Sequence, residues 1–231
     1  MKETGPLEVH DAIMSRHSVR KFLPKAVPME SLRRIIEGAG MAPSGHNIQP
    51  WKVYVVAGEV KQAISASILT AIAEDPEEMH QPEFDYYPTQ WFEPFLARRR
   101  ATGFGLYNAI GIAREDKQAR IDQMNRNFVF FDAPVGIFIS SDRRLATGTI
   151  MDIGMFIENI LIGARGEGLH TCGQAAFNWY HKIIRQHLPM ADEEQFACAI
   201  SIGFEDPDAP ENAFRVDKLP IDEYTSFLGF E

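Results

Sequence analysis

Arg16-His17-Ser18-Val19-Arg20, directly after a short amphipathic pattern at Val9, Ala12 and Ile13, is the stretch on which the reading of this chain turns. In an extended segment successive side chains alternate, so Arg16, Ser18 and Arg20 share one side while His17 and Val19 take the other. Two guanidinium forks and a hydroxyl on one side make a grip for phosphate oxygens. The helix before them ends with its negative pole, so the arginines themselves must supply the positive charge. Taken alone, the pentapeptide reads equally well as an exposed basic turn.

Two further motifs change that balance: Ala42-Pro43-Ser44-Gly45-His46-Asn47-Ile48-Gln49-Pro50-Trp51, and Asn212-Ala213-Phe214-Arg215-Val216-Asp217-Lys218-Leu219-Pro220. In order and spacing the three resemble the nitroreductase family of FMN-dependent oxidoreductases. Tyr86-Tyr87-Pro88, Leu106-Tyr107, Asn127-Phe128, Ala133-Pro134, Gly168-Leu169-His170-Thr171-Cys172 and Gly203-Phe204-Glu205-Asp206-Pro207 extend the likeness over almost the whole length. The resemblance implies an α+β fold, a central and mostly antiparallel sheet flanked by helices, in an intertwined homodimer with FMN at the subunit interface. It also implies NAD(P)H as a transient hydride donor.

By the same resemblance, Arg16, His17, Ser18 and Arg20 meet the phosphate and ribityl end of FMN, with Lys218 and Arg215 completing the clamp. His17 faces away in a simple strand, which leaves it a backbone contribution. Lys218 stands where the family commonly has arginine; it keeps the charge and loses the fork. Pro43, Ser44 and Asn47 match the loop that reaches the flavin from the neighbouring subunit, although by itself the loop reads as a Pro-Ser-Gly turn. Asn127 is placed either at the uracil edge or on a helix surface. Thr171-Cys172-Gly173-Gln174 matches the segment whose backbone amide meets flavin N5, and either Gly173 or Gln174 can be the donor.

At 231 residues, without linker, repeat or low-complexity tract, the chain is expected to form one domain, 1–231. A net charge of -9 argues against nucleic acid. Arg98-Arg99-Arg100, the one dense basic run, reads as a solvated helix face. Residues 1–6 hold no apolar leader core, and the most apolar stretch, 128–139, is broken by Asp132 and Pro134, so a cytoplasmic protein without a membrane partner is expected. Cys172 and Cys198 read as small buried hydrophobes. There is no CxxC or HExxH metal pattern. Gly103-Phe104-Gly105 is no dinucleotide fingerprint, since it lies in a helical pattern, and no Gly-x-Ser-x-Gly elbow surrounds Ser44.

Periodicity predicts strands over 51–57, 135–140 and 196–203, and helices over 28–40, 59–73, 95–112, 115–131, 150–164 and 178–187. The helix over 150–164 is apolar on several faces, so it is expected to be buried in the core or in a subunit interface. The stretch 74–94 holds Phe84, Tyr86, Tyr87, Trp91 and Phe92 and reads as a lid or as a satellite cluster. The stretch Phe84 to Phe92, Trp91 among it, together with Phe104 and Tyr107, is the expected wall or lid against which a planar aromatic acceptor stacks. The tail, 206–231, is expected to lie along a surface.

The function these readings favour is ping-pong transfer of hydride from NAD(P)H through the flavin to nitroaromatic or similar electron-poor compounds. No side chain acts as a nucleophile. Quinone or flavin reduction, reductive dehalogenation, and flavin binding without turnover are the alternatives on the same scaffold. Gly173 stands where an iodotyrosine-type dehalogenase would carry a hydroxyl, which disfavours that one.

Overall fold

The computed structural model describes residues 8–74 and 80–230. Residues 1–6, read for a leader, and 75–79 of the aromatic stretch lie outside them. Four strands, β1 (Lys52–Ala57), β2 (Val135–Asp142), β3 (His170–Gln174) and β4 (Glu194–Gly203), form one antiparallel sheet in the order β1-β2-β4-β3. Three of them lie where the apolar runs predicted strands. The fourth, β3, was not read as a strand, because Thr171-Cys172-Gly173-Gln174 carries no run of branched or aromatic residues.

The central strands β2 and β4 are apolar on both faces because both faces are covered. Val135, Ile137 and Ile139 of β2 pack with Leu32, Ile35 and Ala39 of α2 (Met29–Ala39) and with Ile153, Phe156 and Ile160 of α6 (Thr149–Gly166). Phe138, on the opposite face, joins Phe130, Phe177 and Phe196, with Ile64 and Ile68 of α3 (Gly58–Glu74) and Ile183 and Ile184 of α7 (His181–His187). The ladder pairs Ile139 with Cys198 but Ser140 with Phe196. Ala197 is therefore an extra residue, and this bulge flips the inward parity of β4: Phe196 and Ala199 face one layer, Ala197, Ile200 and Ile202 the other.

One expectation is modified. The helix expected over 115–131 ends early: α5 (Lys117–Asn125) gives way to a 3₁₀ stretch, Arg126–Asp132, in which Phe130, Phe131 and Asp132 have φ of 57°, 53° and 68°. Left-handed backbone at such residues costs on the order of 1–3 kcal/mol each. The turn is held because it buries both rings, lets the Phe131 carbonyl accept the Phe22 N–H at 3.1 Å, and brings the Asp132 carboxylate to Lys21 at 2.6 Å and Arg126 at 3.0 Å. Within the single chain α6 buries only one face: Ile150 and Met151 stay 64% and 71% exposed. Val9 and Met14 of α1 (Val9–Ser15) are exposed as well.

Gly136 is what lets Phe130 lie flat on β2, since a Cβ there would stand only 2.8 Å from the ring's Cδ1. That ring is pinned between Phe138 and Phe177, at centroid distances of 5.7 and 4.8 Å. Gly136→Ala is expected to destabilise the fold by about 1–3 kcal/mol through overpacking. Adding Phe130→Leu should recover part of the loss. A urea midpoint equal to the parent's would refute this account of the packing.

Candidate active site

α1 stops at Ser15, and the extended chain after it bridges to β3 at Ser18 and Thr171 and to the segment after β4 at Phe22 and Glu205. Val19 is fully buried and its N–H donates to the Thr171 carbonyl at 3.0 Å; Leu23 N–H donates to Phe204 at 2.9 Å. Val19 points into the core and His17 toward Glu205, while Arg16, Ser18 and Arg20 all act on the buried Cys172 thiol. Burial pushes that thiol up, against the pull of Arg20, a Ser18 hydrogen bond and Arg16. The Cys198 thiol is pushed up to about 11 by burial. Both cysteines are packing groups with no stabilised thiolate.

The forks of Arg16 and Arg20 are lightly engaged. Arg16 has a 3.8 Å ion pair with Glu158 of α6, and Arg20 a 3.3 Å bond to the Ser18 carbonyl. Behind them lies a carboxylate that sequence reading did not single out. Glu205 accepts from His17 at 2.9 Å and pairs with His170 at 3.1 Å and Arg215 at 3.9 Å. Burial opposes its charge, but the two histidine hydrogen bonds outweigh that and hold the carboxyl far below the usual range. Burial pushes His170 downward, toward the neutral imidazole, against its bond to Glu205. Both residues lie in motifs already quoted, Gly168 to Cys172 and Gly203 to Pro207, yet nothing local marks them as a pair.

Asn212 ties the tail to this segment: its side chain accepts from Arg20 N–H at 2.8 Å and donates to the carbonyls of Lys21 and Asp206 at 2.7 and 2.9 Å. Arg215 follows α8 (Pro210–Ala213) and donates to the Asn212 and Phe214 carbonyls. Lys218 is exposed further along.

The strand alternation decides between the two amides of β3. The Thr171 carbonyl faces outward to Val19, so Cys172 and Gln174 present their backbone to β4, opposite Ser201 and Ala199, and Gly173 faces outward again. The Gly173 N–H is therefore the one on the open edge. The Cα of Gly173 is open as well, since a Cβ added there would meet nothing within 4 Å. The Gln174 side chain is committed inside: it donates to the Asn127 carbonyl at 2.8 Å and its oxygen accepts from Ser201 at 2.5 Å. Asn127 is thus brought beside β3, its own amide donating to Met124 at 2.8 Å.

Gly173 lines two cavities of about 900 and 980 Å³, and Phe84, Tyr86 and Tyr87 wall both. The segment carrying these rings is anchored by Glu83, whose carboxylate binds Arg143 at 2.8 Å and Arg185 at 3.3 Å and accepts the Phe196 N–H at 2.7 Å. Of the expected wall residues, Trp91 packs on Tyr87 at 5.4 Å without lining either cavity. Phe104 and Tyr107 lie on α4 (Phe95–Ala109), whose Gly105 is covered by Phe214 of the tail. Within the expected aromatic stretch, Phe84, Tyr86 and Tyr87 line the cavities. The Pro43 to Asn47 loop is bound elsewhere: Gly45 N–H donates to Asp152 of α6 at 3.3 Å, and Ser44 Oγ accepts from Gln49 N–H at 3.0 Å. Asn47 there has a φ of 57°.

This donor set fits a flavin mononucleotide: lightly held guanidinium forks for a phosphate, an open glycine against which a flat ring can lie, and a free N–H on its edge. Comparison with known proteins agrees. The chain is 35% identical over 225 residues to the nitrobenzene nitroreductase of Ectopseudomonas oleovorans, covering 97% of this chain and 98% of that one. It is 37% identical over 226 residues to the 4-nitrobenzoate reductase of Nocardioides sp. (strain LMS-CY), covering 96% and 91%. The crystal structure of the FMN and NADPH-dependent nitroreductase NfnB from Sphigopyxis sp. strain HMH superposes with a TM-score of 0.93 at 35% identity, over 97% of this chain and all of that one. Residues 13–204 match the nitroreductase family as a whole, and the chain belongs to that family.

Proposed function

We propose that this protein is an FMN-dependent oxidoreductase that takes hydride from NAD(P)H and passes it to nitroaromatic or similar electron-poor compounds in a ping-pong sequence. The observation that carries the reading is the outward Gly173 amide, which sits between a basic phosphate grip and two aromatic-walled cavities. Relatives named for nitrobenzene, chloronitrobenzene and 4-nitrobenzoate indicate the class of acceptor.

Arg16, Ser18 and Arg20 hold the phosphate, with Arg215 and Lys218 adding charge from the tail. Glu205 keeps the backing of this grip charged and fixed by binding His17 and Arg215 together. That gives His17 a supporting place behind the grip. Bound FMN supplies a ring nitrogen, N5, that accepts and returns a hydride. The outward Gly173 N–H would be the donor that steadies electron density at that atom, and the residue's lack of a side chain leaves room for a ring face. Gln174, locked to Asn127 and Ser201, keeps that amide in place and presents Asn127 to the uracil edge. Phe84, Tyr86 and Tyr87 exclude water and offer flat contact to an aromatic acceptor.

We assign the chain to one domain working as a homodimer. The exposed face of α6 with α1, and the exposed tail, are apolar surface that a second copy would cover. That copy brings its Pro43-Ser44-Asn47 loop to the flavin. Among the described residues no helix is long and apolar enough to cross a membrane, and we place the enzyme in the cytoplasm.

Arg16→Ala should weaken FMN binding by about 1.5–3 kcal/mol, the worth of a charge-assisted bond, and leave riboflavin binding nearly unchanged. Isothermal titration of the apoprotein with both flavins checks this, and equal weakening would remove the phosphate assignment. Met151→Glu, on the exposed face of α6, should yield folded monomers that have lost FMN. A monomer by light scattering that keeps stoichiometric flavin would contradict the interface site.

A further inference from the structure

α4 and the stretch after it carry four exposed arginines, Arg98, Arg99, Arg100 and Arg114. Arg34, Arg126, Arg143 and Arg144 each bind a carboxylate within 3.0 Å. Among the described residues Arg98, Arg99, Arg100 and Arg114 have no carboxylate within 4.0 Å, and all four are exposed. Three of them lie over aromatic rings: Arg99 4.7 Å from Trp91, Arg98 5.6 Å from Phe95 and Arg114 5.1 Å from Phe104. A guanidinium in a salt bridge has spent its fork, whereas one stacked by its face keeps its edge N–H donors for another oxyanion. This local positive field persists in a chain of net charge -9.

The cluster is also next to the site. Trp91, under Arg99, is 5.4 Å from Tyr87, which walls both cavities lined by Gly173. Phe92 and Phe95, next in the chain, are 5.2 Å apart and half-exposed, with Arg98 over Phe95. The Arg99 fork and the Trp91 ring are thus connected through Tyr87 to the wall of the cavities that Gly173 lines.

We propose that Arg98 and Arg99, on their aromatic supports, form the subsite for the 2′-phosphoadenosine end of NADPH and make NADPH the preferred hydride donor over NADH. The inference rests on the reading that a nicotinamide nucleotide reduces the flavin here. NADH carries the same purine and nicotinamide without the 2′-phosphate, so the free guanidinium forks discriminate between the two donors. The basic run is then a recognition surface and not merely a solvated helix face.

The test uses FMN-loaded protein and two probes, adenosine 2′,5′-bisphosphate and adenosine 5′-monophosphate, in isothermal titration. The parent should bind the bisphosphate at least tenfold more tightly, and Arg98→Ala/Arg99→Ala should abolish the difference. In rapid mixing, the NADPH-to-NADH ratio of kcat/KM for flavin reduction should fall at least tenfold in that variant, through KM. Arg33→Ala, an exposed arginine on α2, serves as the charge control and should leave the ratio in place. Equal binding of the two probes by the parent, selectivity that survives in the double variant, or an equal fall with Arg33→Ala would each overturn the proposal. If neither nicotinamide bleaches the flavin, the oxidoreductase reading fails, while the probe titration still reports on the subsite independently.

Discussion

The edge of β3 is the constraint on which the site depends. β3 is the last strand of the sheet, with β4 on one side and no full strand on the other. A bare edge is an open row of donors and acceptors that proteins cover or pair. Residues 16–20 cover the first part of it through the buried Val19 and its bond to Thr171, and the cover ends before Gly173. One short pairing thus places the arginines of the grip and leaves a single unpaired backbone donor beside them. The alternation of the strand does the rest, for the residues that must face outward are alternate ones.

Charge is organised behind that edge. Two histidines and one arginine converge on Glu205, while Asn212 satisfies backbone groups on both sides of the tail junction. A partly buried carboxylate is costly unless its oxygens are filled, and here they are filled by groups from three separate parts of the chain. The consequence is mechanical: the basic segment, β3 and the tail are tied at one point, so the grip and the open amide keep a fixed spacing. Glu83 repeats the device on the other side of the cavities, where Arg143, Arg185 and the Phe196 N–H hold the aromatic segment against β4.

The layered core explains why the sheet tolerates such an edge. Both faces of β2 and β4 are sealed, one by α2 and α6 and the other by phenylalanines from β2, β4 and two 3₁₀ turns. The left-handed turn at Phe130 and Phe131 is retained because its rings fill the space over Gly136, and its Phe131 carbonyl anchors Phe22 just beyond the grip. Packing and site positioning are therefore the same contacts.

By itself the sequence determined the apolar strands, the main helices and the exposed tail, because each is written in local periodicity. It also placed the family, since the quoted motifs keep their order along the chain. Only the tertiary structure decided that 170–174 is a strand, that Gly173 and not Gln174 turns its amide outward, and that the bulge at Ala197 reverses the parity of β4. It alone brought Glu205 to His17 and Arg215 and Gln174 to Asn127, and within the aromatic stretch it set Phe84, Tyr86 and Tyr87 against the cavities. The reason is physical: periodicity reports which face of an element is apolar, but a lone carboxylate or glycine acquires its role from partners brought to it by packing, often more than a hundred residues away, and nothing local encodes that meeting.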